Sequence, residues 1–217
     1  MIINRLTFAL VGLWATGLSF AGTLFEFEYP ALLILESKDE LYGYYGSTLP
    51  RVQGVRPHPA QCRFFFYSKN GRAKEQYSGN VFSTNGSFGV RRKPIDSPAL
   101  IFRRNSNWII QMRHQDASCD TGAGWNFRLG PDDPDVTKFE VVRSSDALFL
   151  RLIAKKANLL IRKAGYASSG ISLVPGDVVV VDAEESGFSK VRFLSSQKNE
   201  VATGWIESRF LVNPFPK

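Results

Sequence analysis

Residues 172–181 read Ser172-Leu173-Val174-Pro175-Gly176-Asp177-Val178-Val179-Val180-Val181. A proline-glycine turn, with backbone freedom at the glycine, runs into four valines whose branched side chains favour an extended strand. Working outward, the same style of punctuation repeats. Upstream, Ala157-Asn158-Leu159-Leu160-Ile161-Arg162 is a strand candidate, followed by a polar loop holding Gly165, Tyr166 and Gly170. Downstream come Gly187-Phe188-Ser189-Lys190-Val191-Arg192-Phe193, then Thr203-Gly204-Trp205-Ile206, then Phe210-Leu211. From Ala154 to Val212 the chain is a series of short strands separated by turns.

The preceding part has the same character. Leu24 to Tyr29 alternates, with Leu24 and Glu26 on one side of a strand and Phe25 and Phe27 on the other. Residues 31–36 and 41–46 form a hairpin candidate across Ser37-Lys38-Asp39-Glu40. Residues 47–61 read as a long loop with Pro50, Pro57 and Pro59. Cys62 to Tyr67 is an aromatic strand. Residues 72–98, with Gly79, Gly86, Gly89, Pro94 and Pro98, read as irregular. Ala99–Arg103 and Trp108–Arg113 suggest a second hairpin, Trp125–Leu129 a short strand, and Phe139–Arg143 and Leu148–Ile153 two more. No window sustains helical spacing. The expected fold is all-β: a sandwich or barrel-like domain over residues 22–150, then a small barrel over 151–217. The connection between them is short, which predicts domains packed together, each on its own core.

The Pro175-Gly176-Asp177 turn before its valine run, and Gly204-Trp205-Ile206 with Leu211 close behind, occur in an order that resembles a bacterial SH3-like (SH3b) domain, over roughly residues 154–212. The loop Lys163-Ala164-Gly165-Tyr166-Ala167-Ser168-Ser169 departs from the family's pattern, lacking its proline. The resemblance implies an extracytoplasmic SH3-like β-barrel that binds cell-wall peptides or envelope proteins through an aromatic groove. Carried over by position, the ligand-binding candidates are Tyr166, Phe188 and Trp205, aromatics that offer large, stiff contact area. The competing role for Phe188 and Trp205 is to fill the barrel.

The 217-residue chain carries a net charge of +7. Arg5, an apolar run from Leu6 to Phe20 and the sequence Ser19-Phe20-Ala21 form a secretory leader over residues 1–21, cleaved before Gly22. That predicts a periplasmic or secreted protein with no transmembrane anchor in the mature chain. In an exported protein, positive charge points to anionic envelope material rather than nucleic acid. Arg91-Arg92-Lys93 is the densest basic run, with Arg103-Arg104 not far beyond. It is the candidate contact for an acidic partner, against the plainer role of a solvated loop. Cys62 and Cys119 are an even pair in an exported chain, which predicts a disulfide. Its long loop would be worth about 4 kcal/mol on the chain-entropy account.

Catalytic constellations fit poorly. Cys62 and His114 are present, but Cys62 heads an aromatic strand rather than a helix N-terminus that could activate it. Asp132, Asp133 and Asp135 surround prolines, which breaks the alternation a calcium loop needs. No phosphate-cradling, nucleophile-elbow or zinc motif occurs. The expectation is a protein with no enzymatic activity, no cofactor and no metal. Two functions fit: an envelope binding protein docking on peptidoglycan or a wall-associated protein, or an immunity or inhibitor protein that blocks a wall hydrolase or secreted toxin with the loops at 47–61 and 72–98.

Overall fold

Strand β1 (Gly22–Phe27) sets the plan of the molecule, because its two faces enter two different cores. Phe25 and Phe27 point into a barrel, while Leu24 packs outward against a second sheet. The structure, a computed structural model, describes residues 21–27, 32–48, 61–69, 76–83, 98–112, 127–161, 168–195 and 200–215. Among these residues the chain is all-β, with no α-helix.

The barrel continues through β2 (Leu32–Ser37), β3 (Glu40–Thr48), β4 (Gln61–Ser68), β5 (Gln76–Ser83), β6 (Ala99–Arg104), β7 (Asn107–Met112) and β8 (Phe139–Ala147). Each strand is antiparallel to its neighbours, and β8 closes on β1. Closure removes exposed edges, and eight strands leave an interior that side chains can fill. Here aromatic rings fill it. Tyr45 stacks on Phe64 at 5.2 Å, Trp108 stacks on Tyr77 at 6.0 Å, and Phe127 meets Tyr45 edge-on at 5.0 Å. Gly43 makes room for this packing, since a Cβ there would overlap the ring of Phe66. The indole N–H of Trp108 is buried without a hydrogen-bond acceptor.

The structure departs from the sequence expectation at two segments of the barrel. Residues 76–83, inside the stretch read as irregular, are strand β5. Its misleading residue is Gly79, where a Cβ would come within 2.7 Å of the Tyr67 carbonyl oxygen. Glycine there permits close approach of two strands instead of ending one. The segment read as a strand at Trp125–Leu129 is a turn where it is described: the Met112 amide donates to the Phe127 carbonyl at 2.7 Å, and the Phe127 ring drops into the barrel core.

Sheet membership changes between Ala147 and Phe149. The second sheet holds β9 (Phe149–Ile153), β10 (Ala157–Leu160), β11 (Ser168–Leu173), β12 (Val178–Glu185), β13 (Phe188–Ser195), β14 (Glu200–Glu207) and β15 (Leu211–Val212), with a 3-10 turn at Ser208–Phe210. Its spatial order is β11-β10-β14-β13-β12-β9-β15. Val179, Val181, Val191, Ile206, Leu159 and Leu173 form its own core.

The expected pair of separate cores is in fact three clusters. The third lies between the sheets, where Leu24, Leu33, Leu35 and Phe65 of the barrel wall meet Leu150, Leu152, Val178 and Val180. The alternating valines of β12 therefore serve both sides of their sheet. An ion network borders this junction. Arg192 Nε donates to Asp182 at 3.0 Å, and its Nη1 donates to Glu26 Oε1 at 3.0 Å and to Ser145 Oγ at 3.1 Å. Arg143 reaches Glu26 from the other side at 2.8 Å.

Candidate binding face

Strands β12 and β13 turn over Ser186 and Gly187, both at positive φ (50° and 81°). This two-residue connection suits the twist of a hairpin and fixes Phe188 opposite Glu185. On the far side, Phe188 faces Glu207 and Lys190 faces Trp205, while Trp205 also pairs with Leu160 of β10. Directly paired residues share a sheet face. Phe188, Lys190, Trp205, Glu207 and Leu160 therefore lie together, opposite the core face that carries Val191, Ile206 and Leu159.

Gly204 sets the spacing. A Cβ there would lie 2.7 Å from the Leu160 carbonyl oxygen, so glycine lets β14 approach β10 and brings Trp205 beside Leu160. Phe188, Trp205 and Leu160 are half-buried and Lys190 is exposed. Neither Phe188 nor Trp205 belongs to any of the three buried clusters. Farther along β13 the same face carries Arg192 and Leu194, which pack toward the barrel. The barrel thus covers the Arg192–Leu194 end of this face, and among the described residues it does not reach the Phe188 end. Glu207 is held by Arg209 Nε at 2.7 Å, whose guanidinium lies over Phe210.

The turn singled out in the sequence is a closed unit. Gly176 takes φ 97°, and Asp177 Oδ2 accepts the Val174 amide at 2.7 Å. Burial raises the pKa of Asp177, against the lowering effect of that hydrogen bond. The turn also docks on β9, the Gly176 amide donating to the Ile153 carbonyl at 2.9 Å.

Two further polar clusters sit on the barrel. Glu36 accepts the hydroxyl of Tyr77 and a 3.0 Å contact from Arg103, whose guanidinium lies over Phe25 and Trp108. Glu40 accepts the hydroxyls of Tyr42 and of Tyr67, the latter at 2.8 Å. Those hydrogen bonds, from Tyr42 first, lower the pKa of Glu40. Desolvation, and then Glu40 itself, raise that of Tyr67 to about 12.

Of the candidates drawn from sequence, Phe188 and Trp205 come together on one face. Tyr166 and the basic run Arg91, Arg92 and Lys93 lie outside the described residues, as do Cys119, His58 and His114 and the leader up to Phe20. Cys62 is wholly buried in the barrel core. Arg103 and Arg104, grouped with the basic run in sequence, are engaged by Glu36 and by Asp132 at 3.1 Å. Asp133 organises its own turn by accepting the Asp135 amide. Among the described residues no group of three or more His, Cys, Asp or Glu side chains could hold a metal ion, and no helix is long and apolar enough to cross a membrane. The junction with the barrel was not foreseen in any residue. No protein-family model, curated protein or solved structure matches the chain.

Proposed function

We propose that this chain is an exported, non-enzymatic binding protein that docks on cell-wall peptide or on an envelope protein through the face carrying Phe188 and Trp205. The observation that carries the reading is their position: two large aromatics on one sheet face, outside every buried cluster. Large aromatics left only half-buried on a stiff scaffold are suited to recognition, because they offer contact area with little entropy to lose. The order of elements supports an SH3-like assignment for the second sheet: a first strand β9, a hairpin β10–β11, a meander β12–β14, a 3-10 turn, and a last strand β15 that returns to pair with β9. Co-sedimentation with purified peptidoglycan sacculi tests it. The wild-type protein should sediment and the Phe188→Ala/Trp205→Ala variant, shown by its melting curve to be folded at the assay temperature, should not. Equal sedimentation of the two, or none by the wild type, removes this face as a wall-binding site.

An inhibitor or immunity role is the second reading, favoured by one feature of the barrel. The ends at Thr48, Gln61, Ser83 and Ala99, which bound the two long segments between β3 and β4 and between β5 and β6, all lie toward one end. Retention of a wall hydrolase or secreted toxin on the immobilised protein, unaffected by the Phe188→Ala/Trp205→Ala change, would favour it.

A further inference from the structure

Beyond β15 the chain leaves the second sheet and returns to the barrel. Phe215 is 6% exposed, although it belongs to no strand. Its ring centroid lies 4.9 Å from that of Tyr42, 5.7 Å from Phe65 and 6.3 Å from Tyr67. These three residues are on the outer wall of β3 and β4, where Tyr42 and Tyr67 are directly paired. Glu40 accepts both tyrosine hydroxyls, so the socket walls are held by a group that does not involve Phe215. The approach to the socket is equally defined. Asn213 Oδ1 accepts the Phe215 amide at 3.1 Å and a long 3.5 Å contact from Arg151 Nη1.

Before that turn, β15 adds to the edge of β9 through two residue pairs, Leu211 with Ile153 and Val212 with Leu152, next to a 2.8 Å hydrogen bond from the Ala154 amide to the Phe210 carbonyl. A short antiparallel ladder followed by an aromatic side chain in a socket is the arrangement by which extended peptides add to sheet edges. The main chain supplies affinity and the socket supplies selectivity. Two residue pairs and one buried ring make a small contact, of the size that opens without global unfolding.

We propose that Leu211–Phe215 is a displaceable latch: the chain's own segment occupying a strand-addition groove formed by the edge of β9 and the Tyr42–Phe65–Tyr67 socket. The groove takes an extended segment with an aromatic residue three positions beyond the ladder. Opening it uncovers the free edge of β9 and the aromatic wall together, and an attached segment closes it again because tethering keeps its effective concentration at or above about the millimolar range.

Hydrogen exchange on the intact chain tests the first half. The amides of Val212 and Phe215 should exchange at least about ten-fold faster than those of Val179–Val181, as expected for local opening. Phe215→Ala should accelerate the former and leave the latter unchanged. Titration of full-length Phe215→Ala protein with a synthetic peptide of residues 209–217 tests the second. It should bind with a dissociation constant on the order of 0.1–1 mM, typical of one aromatic anchor and a short ladder. Wild-type protein, whose groove is filled, should bind at least about ten-fold more weakly. Latch amides that exchange only at the rate of the β12 valines would overturn the proposal. So would a peptide that binds neither protein, or one carrying its own Phe215→Ala change that binds as well as the parent.

Discussion

Replacing Arg192 by methionine should loosen the junction between the barrel and the second sheet more than any other single charge removal among the described residues. Its side chain is 12% exposed, and that of Glu26 is 10% exposed. Besides Glu26 it serves both carboxylate oxygens of Asp182, the hydroxyl of Ser145 and the carbonyl of Asp146. Removing one member of a buried ion pair typically costs about 3–5 kcal/mol, because the remaining charge stays desolvated. Two features place Arg192→Met toward the lower end of that range. Glu26 keeps Arg143 at 2.8 Å, and Asp182 is 23% exposed and can recruit water. The expected loss is therefore about 3 kcal/mol. A Glu26→Gln/Arg192→Met double-mutant cycle should give a coupling of about 1–3 kcal/mol. Arg104→Met, which breaks an exposed pair with Asp132, should cost less than about 1 kcal/mol. Urea denaturation followed by tryptophan fluorescence and by far-ultraviolet circular dichroism measures these values. Coincident transitions in the wild type that separate in Arg192→Met would show the sheets uncoupling. A loss below about 1 kcal/mol for Arg192→Met would refute the assignment of the network as a junction lock.

The other predictions concern packing and pH. Trp108→Ala should cost about 3–5 kcal/mol, as for a buried aromatic, whereas Trp205→Ala should cost clearly less while reducing binding; equal melting losses would return Trp205 to a core role. Gly79→Ala should destabilise by about 1–3 kcal/mol, since the new methyl meets the Tyr67 carbonyl; unchanged stability would mean that β4 and β5 separate at little cost. The Glu40 cluster should shape both ends of the pH profile. Glu40, whose pKa is lowered, adds stability that is present above the ordinary carboxyl value of about 4.3 and is lost as pH falls through its folded value. Tyr67, raised to about 12, adds stability that is full below the ordinary tyrosine value of about 10 and fades as pH rises through the folded one. Tyr67→Phe should flatten the alkaline limb of urea midpoints measured against pH, and an unaltered limb would rule this assignment out.

The strands that sequence made legible are those whose period-2 alternation coincides with two unlike surroundings. Residues 24–27 and 62–67 alternate between the barrel interior and the junction, so large apolar side chains occur at nearly every position. Strand β5 was missed because its inward positions are Tyr77, Gly79 and Val81, and the glycine there is required by a neighbouring backbone. Local propensity registers such a glycine as a break; only the partner strand shows why it belongs to a ladder. Phe127 shows the converse. Trp125-Asn126-Phe127-Arg128-Leu129 alternates apolar and polar residues as a strand would, but the large Phe127 ring enters the core from a turn, and a sequence window cannot separate these cases.

The candidate face was legible in residue type but not in position. Aromatics at 188 and 205 follow from the punctuation of the second unit, yet whether they fill a core depends on parity. One residue of slip in the β13–β14 register would exchange Lys190 and Trp205 for Val191 and Ile206. The junction was not legible in any window. Arg192 and Glu26 are 166 positions apart, and each alone reads as an ordinary solvated charge on a strand. Once both are placed, they constrain the candidate face itself. The barrel occupies the end of the face that carries Arg192 and Leu194, so a partner docking on this face would do so at the Phe188–Trp205 end. A bound partner would also meet a second sheet already anchored by a shared core and an ion network. Under the proposed reading, recognition on this scaffold would be by a preorganised surface, which lowers the ordering cost of binding.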